Sequence, residues 1–492
     1  MSATNQKRME NRAIVAPPQS VDLLPRRLLG LVLLLMAPLL GADDLSDTLL
    51  AVQKQQSIPV MGWVVLLPGQ SPRTEVTGAG AHPSTPLRFG SITKTFTAIT
   101  LLSAAEAAGI SMDTPLDHLV KARQWHNRFP VPLTLRHLVS LTAGHADLGF
   151  TAFNDNTPRS LGESLQRNQD ALTSWWPPGL VHSYSNATPG LSSLAIEQLT
   201  GQRFADAMST LLFQPLGLRQ ATLSPDPALP GGFRVDGATP IDYWHTTFPA
   251  FGALNLSMPD MTLFLQTLLN GGRRGKQVVW SAATQAALLV PEMGLGHAAG
   301  LETGYAAGMY SRIAQGLVWH THGGDADGYR SRYAILPAQQ AGYAIAINTD
   351  NPTALRNLES ILEQHIVRNL HLPTKAPLAS QPMASQPDGE YYPVGTRFKL
   401  PAWRECAMPR VSITSSHRGL ALNRGARITR LKHVGANRFA ADKDPVVTAV
   451  ITRDTTGSVY FLGEYGNYVR LKTFGNRSAA VIPSFLSTCI PQ

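Results

Sequence analysis

The sequence predicts an α/β (α+β) domain whose two ends share one sheet, followed by a small antiparallel β-domain. Three observations carry that prediction. Residues 59–67 form an apolar run, and similar runs return far down the chain at 317–319, 333–336 and 342–348. The last of these is apolar throughout, as a central strand is. Between the early and late strands lie segments of helical periodicity, among them 97–108, 191–200 and 261–269. Strands at both ends with a helical middle place those ends in one sheet. From 389 onward, short alternating runs at 411–414, 419–422, 446–452 and 459–462 are separated by Gly, Asn and Asp. That is the pattern of a small antiparallel barrel or sandwich.

Composition bounds the rest. With 492 residues and 43% hydrophobic content, the chain can bury large cores, which excludes wholesale disorder. A charged fraction of 15% and two cysteines exclude a coiled coil and a disulfide-stapled mini-domain. The net charge is +9, yet no block of five or six Lys/Arg occurs, so no nucleic-acid partner is expected.

The segments follow in chain order. Within residues 1–42, Arg26-Arg27 precede an apolar run at 28–40, then Gly41-Ala42 and the acids Asp43-Asp44. A basic start, a short apolar core and a small terminal residue read as an export signal, giving a periplasmic or secreted product. The run is shorter than the roughly 17–25 residues of a comfortable membrane span. An uncleaved N-terminal anchor, with membrane association, and a buried core helix are the competing readings. Residues 43–372 form the main domain. Residues 373–388 repeat Ala-Ser-Gln-Pro at 379–382 and 384–387 and read as a Pro/Ser/Gln linker. Residues 389–492 form the β-rich domain and contain both Cys406 and Cys489. Export implies an oxidising compartment, which makes the two a candidate internal disulfide.

Three motifs in the main domain carry chemistry. Phe89-Gly90-Ser91-Ile92-Thr93-Lys94 leads into an apolar helical run. Gly90 lets the backbone turn, and Ser91 is expected to open the helix. Lys94, three residues on, shares its face, so an amine comes within reach of the hydroxyl. The positive end of the helix dipole favours a developing alkoxide. A Ser–Lys pair can activate a nucleophile, although a chain of this composition shows about one Ser-x-x-Lys by chance. Tyr184-Ser185-Asn186 follows Pro177-Pro178-Gly179. A phenol serves as general base where a cation such as Lys94 depresses its pKa. The Asn186 amide can donate to a substrate carbonyl and hold the lysine. A surface-packed loop tyrosine is the competing reading. His322-Gly323-Gly324 forms a Gly-rich strand edge, which admits a substrate backbone and exposes N–H groups for an oxyanion hole. His320 and His322 share a strand face, as a metal pair would, but no third ligand stands at telling spacing.

These three motifs, in this order, resemble the class C β-lactamase-related serine hydrolase family. Ser91-x-x-Lys94 resembles its nucleophile motif, Tyr184-x-Asn186 its second motif, and His322-Gly323-Gly324 its third. Leu133-Thr134-Leu135-Arg136-His137-Leu138, Leu216-Gly217-Leu218 and Ser257-Met258-Pro259-Asp260-Met261 are similar to further family segments. The resemblance covers roughly residues 50–368. It implies a β-lactamase/transpeptidase-like domain: an antiparallel sheet flanked by helices, plus an all-helical subdomain, with the site between them. It also implies a Ser91 acyl-enzyme, proton management by Lys94 and Tyr184, an oxyanion hole from the Ser91 and Asp325 N–H groups, and substrate orientation by Asn186. No metal or organic cofactor is implied, and the partner is a small acyl, ester or peptide substrate.

Two departures stand out, of which the first bears on substrate. His322 stands where true β-lactamases carry a lysine, and a neutral imidazole anchors a carboxylate less well than a permanent cation. The family's Thr-Ser-Gly is Thr142-Ala143-Gly144 here, with His145 and Asp147 just after. The expectation is ester or amide hydrolysis. The alternatives are D-aminopeptidase or DD-peptidase action on cell-wall peptides, β-lactam hydrolysis, and a non-catalytic protein that binds cell-wall peptide.

Overall fold

The computed structural model describes residues 43–121, 124–149, 152–155, 157, 159–291, 293–370, 372, 377–383, 387–395, 410–464 and 466–470. The expected leader, part of the linker, and Cys406 and Cys489 lie outside the described residues. Two compact units are distinguished, Met1–Thr48 and Leu49–Gln492. Of the first, the described residues are the opening of helix α1, Asp43–Gln55. No helix among the described residues is long and apolar enough to cross a membrane.

The larger unit is built on a six-stranded antiparallel sheet. Its strands are β1 Val60–Leu66, β2 Arg73–Gly78, β3 Tyr310–Ala314, β4 Leu317–Ala326, β5 Tyr329–Leu336 and β6 Ala341–Ile347. The order is β3-β4-β5-β6-β1-β2, so the early and late strands do share one sheet, with Met61 opposite Ile347. Every residue of β1 and β6 is buried, which is why both read as unbroken apolar runs.

Helices that bear on the site are α2 Thr93–Ala107, α3 Thr188–Thr200, α4 Pro249–Gly252, α5 Met258–Leu269, α6 Leu295–Ala298 and α7 Pro352–Leu370. The two-residue period of β5 distributes them over both faces of the sheet. Tyr333 Oη lies 2.8 Å from Thr95 Oγ1 of α2, while neighbouring Arg332 Nε donates to Glu359 of α7 at 2.9 Å. Helix α7 turns Leu355, Leu358, Leu362 and Ile366 inward, a three-to-four spacing that makes one apolar stripe.

The expected elements are present with longer bounds. The helix expected at 97–108 starts at Thr93, preceded by a 3-10 turn at Gly90–Ile92. Ser91 therefore sits in that turn rather than in the α-helix. The strand expected at 317–319 continues to Ala326, because Gly323, Gly324 and Asp325 still pair with β5.

The C-terminal strands form a closed eight-stranded barrel: β7 Gly389–Pro393, β8 Val411–Ser416, β9 Gly419–Arg424, β10 Arg427–His433, β11 Arg438–Ala440, β12 Ala449–Arg453, β13 Val459–Gly463 and β14 Tyr468–Arg470. Closure comes from β7 pairing with both β8 and β14. Alternate residues fill two different cores. Tyr391, Phe439, Ala449, Phe461 and Tyr468 belong to one core, made of barrel residues. Their neighbours Tyr392, Ala440, Val450, Leu462 and Val469 pack in another with Trp176 and Val181 of the main domain, against which Leu295 of α6 also lies. Strands buried on both faces lose the hydrophobic/polar alternation, which explains the apolar run at 459–462.

Candidate active site

Gly90 begins the site. Its φ is +51°, in the left-handed region that suits glycine, and a Cβ here would stand 3.1 Å from the Asp325 backbone nitrogen. The turn thus brings the Asp325 amide beside the Gly90–Ser91 segment. The Asp325 carboxylate points elsewhere, accepting from Arg330 Nη1 at 2.7 Å in an exposed pair. Gly324 is required for the same approach: a Cβ there would overlap the Phe89 carbonyl oxygen. Ser331 Oγ donates to that oxygen at 2.9 Å and fixes β5 against the turn. Gly323 faces the Arg332 guanidinium in the same way.

Lys94 is 3% exposed in the first turn of α2 and gathers three acceptors. Its Nζ lies 3.0 Å from Ser91 Oγ, 2.6 Å from Asn186 Oδ1 and 3.0 Å from the Phe251 carbonyl oxygen of α4. Helix α4 is held there by Thr97 Oγ1, which donates to the Ala250 carbonyl at 2.9 Å. The Tyr184 ring centroid is 4.9 Å from Lys94 Nζ. Ser91, Lys94, Tyr184 and Asn186, from two distant motifs, therefore share one cluster.

Two residues that matter here had no assigned role in the sequence. Asp147 is the first. Its Oδ1 accepts from the Asn186 backbone N–H at 2.6 Å and from the Leu148 N–H at 2.8 Å, and its Oδ2 accepts from Asn186 Nδ2 at 3.0 Å. The carboxylate thus sets which way the Asn186 amide faces, turning Oδ1 toward Lys94. His145 packs alongside, Nδ1 3.0 Å from Thr188 Oγ1 at the start of α3, and burial holds its pKa down at about 3. A buried Asp in an apolar stretch was the signal available, but its partner lies 39 residues away.

Tyr305 is the second. Its hydroxyl is 3.1 Å from His322 Nε2, and its ring stacks on His182 with centroids 4.8 Å apart. His322 Nδ1 lies 2.7 Å from the Gly323 carbonyl oxygen. That oxygen only accepts, so Nδ1 carries the proton and Nε2 accepts from Tyr305. Burial, with Lys94 nearby, lowers the His322 pKa to about 3. His322 is therefore a neutral ring at physiological pH, enclosed by Tyr184, Tyr305 and Tyr310.

Such a site can present a serine hydroxyl, a lysine cation, a phenol and backbone amides to an acyl carbonyl. It offers no cation at His322 to receive a substrate carboxylate.

Known proteins share this architecture. The chain is 26% identical over 247 residues to the "Beta-lactamase" of Escherichia coli (strain K12), covering 46% of this chain and 61% of the relative. It is 23% identical over 330 residues to the "Unguisins hydrolase ungD'" of Aspergillus campestris (strain IBT 28561), covering 61% and 58%. The chain thus spans about three fifths of the length of these curated relatives. An octameric penicillin-binding protein homologue from Pyrococcus abyssi has a similar fold, with TM-score 0.54, 17% identity, and coverage of 88% of this chain and 100% of that one. The family model "Beta-lactamase" matches residues 44–367, about two thirds of the sequence and all six strands of the main sheet. By that match the chain belongs to the beta-lactamase family.

Proposed function

We propose that the chain is an exported serine hydrolase that cleaves neutral esters or amides through a Ser91 acyl-enzyme. The observation that carries this reading is the position of Lys94 Nζ, within hydrogen-bond distance of Ser91 Oγ, Asn186 Oδ1 and the Phe251 carbonyl oxygen. In this reading Lys94 is protonated, stabilises charge on the serine oxygen and leaves Tyr184 to take the proton. Ser91 Oγ attacks the acyl carbon as its proton passes to the Tyr184 phenolate. The carbonyl oxygen gains charge near the Ser91 and Asp325 N–H groups. The bond to the leaving atom breaks, and Tyr184 returns the proton to that atom. Water then attacks the acyl-enzyme with Tyr184 again accepting a proton; the acyl–Oγ bond breaks and Tyr184 returns that proton to Ser91 Oγ, which frees the acid and restores the resting site. The neutral His322 favours substrates without a carboxylate at that position over β-lactams and carboxylate-ended D-peptides.

The test is mass spectrometry after treatment with a fluorescent alkylphosphonate, followed by turnover of p-nitrophenyl esters, D-Ala peptides and nitrocefin. Labelling at Ser91, absent in Ser91→Ala, with ester turnover exceeding nitrocefin turnover, is expected. Absence of any acyl or phosphonyl adduct at Ser91 would favour a binding protein over an enzyme.

A further inference from the structure

A cavity of about 520 Å³ adjoins the site on the Tyr184 side. Its size is that of pockets that enclose drug-sized ligands, roughly 300–1,000 Å³. Two domains wall it: Met293, Leu301 and Tyr305 come from the main domain, Leu462 and Asn467 from the barrel. The seam between them is built. Glu302 N donates to the Val447 carbonyl at 3.1 Å, and Glu302 Oε2 accepts from the Val447 N–H at 2.7 Å. Asn467 Nδ2 donates to the His182 carbonyl at 3.4 Å. Leu462 is 3% exposed and lies over Gly296 of α6.

The wall is chiefly apolar, but three polar atoms on it lack a partner: Thr303 Oγ1, His297 Nδ1 and Arg312 Nε. Thr303 is 1% exposed, lines the cavity, and its Oγ1 makes no hydrogen bond. Buried hydroxyls are almost always bonded, so this one suits a polar atom of a ligand. Arg312, also on the wall, pairs with Glu363 and Glu359 through Nη2 while its Nε stays unpartnered, and burial raises the pKa of the neighbouring wall residue Glu464 to about 7, which lowers its charge.

Tyr184 lines this cavity and Ser91 does not. In the proposed reaction Tyr184 protonates the leaving atom, so the leaving group must touch Tyr184. The space beyond Tyr184 is then where its body goes. We infer that the cavity is a leaving-group subsite for an uncharged, mainly apolar alcohol or amine moiety, with Leu462 of the barrel setting its depth. This rests on the Ser91 acyl-enzyme reading.

The experiment uses the full chain and acetate esters of straight-chain alcohols from methanol to octanol. These alcohols have closely similar acidities, so chain burial varies while the chemistry stays constant. We expect kcat/KM to rise with chain length, by up to about fourfold per methylene, and then level off. Leu462→Ala should move the plateau to longer alcohols and Leu301→Phe to shorter ones. Partition of the acyl-enzyme between water and added 1-hexanol or methanol gives a readout from the wild type alone, and hexanol should win. A flat ester profile with no preference for hexanol, in a protein whose Ser91 is labelled by phosphonate, overturns the subsite and leaves the hydrolase reading standing. Failure of Ser91 labelling overturns both. A plateau that moves with Leu301→Phe but not with folded Leu462→Ala overturns the part assigned to the barrel.

Discussion

Replacing Asp147 by asparagine changes one atom, yet it should disable the cluster around Lys94. Oδ1 of Asp147 accepts two backbone N–H groups, from Leu148 and Asn186, so the oxygen of an asparagine is held at that position. Its NH2 group must then occupy the place of Oδ2, 3.0 Å from Asn186 Nδ2. Two donors face each other there. Asn186 relieves the clash by flipping, which turns its own NH2 toward Lys94 in place of the Oδ1 now 2.6 Å away. Either way a hydrogen bond to a charged group is lost, at about 1.5–3 kcal/mol. If the free variant relaxes without that bond but the transition state still requires Lys94 in its place, the lost energy falls on the barrier and kcat/KM drops about 10- to 200-fold. The fall should appear in kcat more than in KM, because Asp147 touches Asn186 and not the substrate. Steady-state hydrolysis of a p-nitrophenyl ester measures it, and circular dichroism checks the fold. Asp147→Asn retaining wild-type kcat/KM would refute the claim that this carboxylate orients Asn186 for Lys94.

Other consequences can be checked in the same assays. Lys94→Ala and Tyr184→Phe should each cost at least about 100-fold in kcat/KM, the scale of acid–base groups, and near-normal ester turnover by Lys94→Ala would remove the proton relay. Gly324→Ala should destabilise the protein by about 1–3 kcal/mol through overpacking against the Phe89 carbonyl, read as a lower urea midpoint. His145 and His322 are lowered to about 3, and His137 and His182 to about 4, all chiefly by burial. Their folded values lie below the usual 6.5, so the unfolded chain binds protons first as pH falls. Stability is thus fully present above about pH 6.5, and each histidine removes up to about 1.4 kcal/mol per pH unit below it, until its folded value is reached. Urea midpoints at pH 7.5, 6 and 5 should fall accordingly, and a constant midpoint would contradict the buried neutral rings.

The four clustered residues were legible as two short motifs because each motif is local. Ser91 and Lys94 are three residues apart and Tyr184 and Asn186 two, spacings fixed by the backbone alone. The central strands were legible because burial on both faces leaves an unbroken apolar signature in β1 and β6. Asp147 and Tyr305 were not, since their meaning comes from partners that folding brings to them. The edge strand β2, Arg-Thr-Glu-Val-Thr-Gly, is half exposed and mostly polar, so it carries no core pattern to read. The barrel was visible as alternating short runs, but its closure depends on β7 meeting β14, a pairing no local window contains.

The barrel's outward residues share a core with Trp176 and Val181, and that has a consequence for proteolysis. We propose 373–388 as the link between the two domains, and a protease that cuts there severs it but leaves the buried seam in place. The nicked protein should therefore run as two bands on a denaturing gel and elute as one particle under native conditions. Processing at this proposed linker would change the number of chains without setting either domain loose.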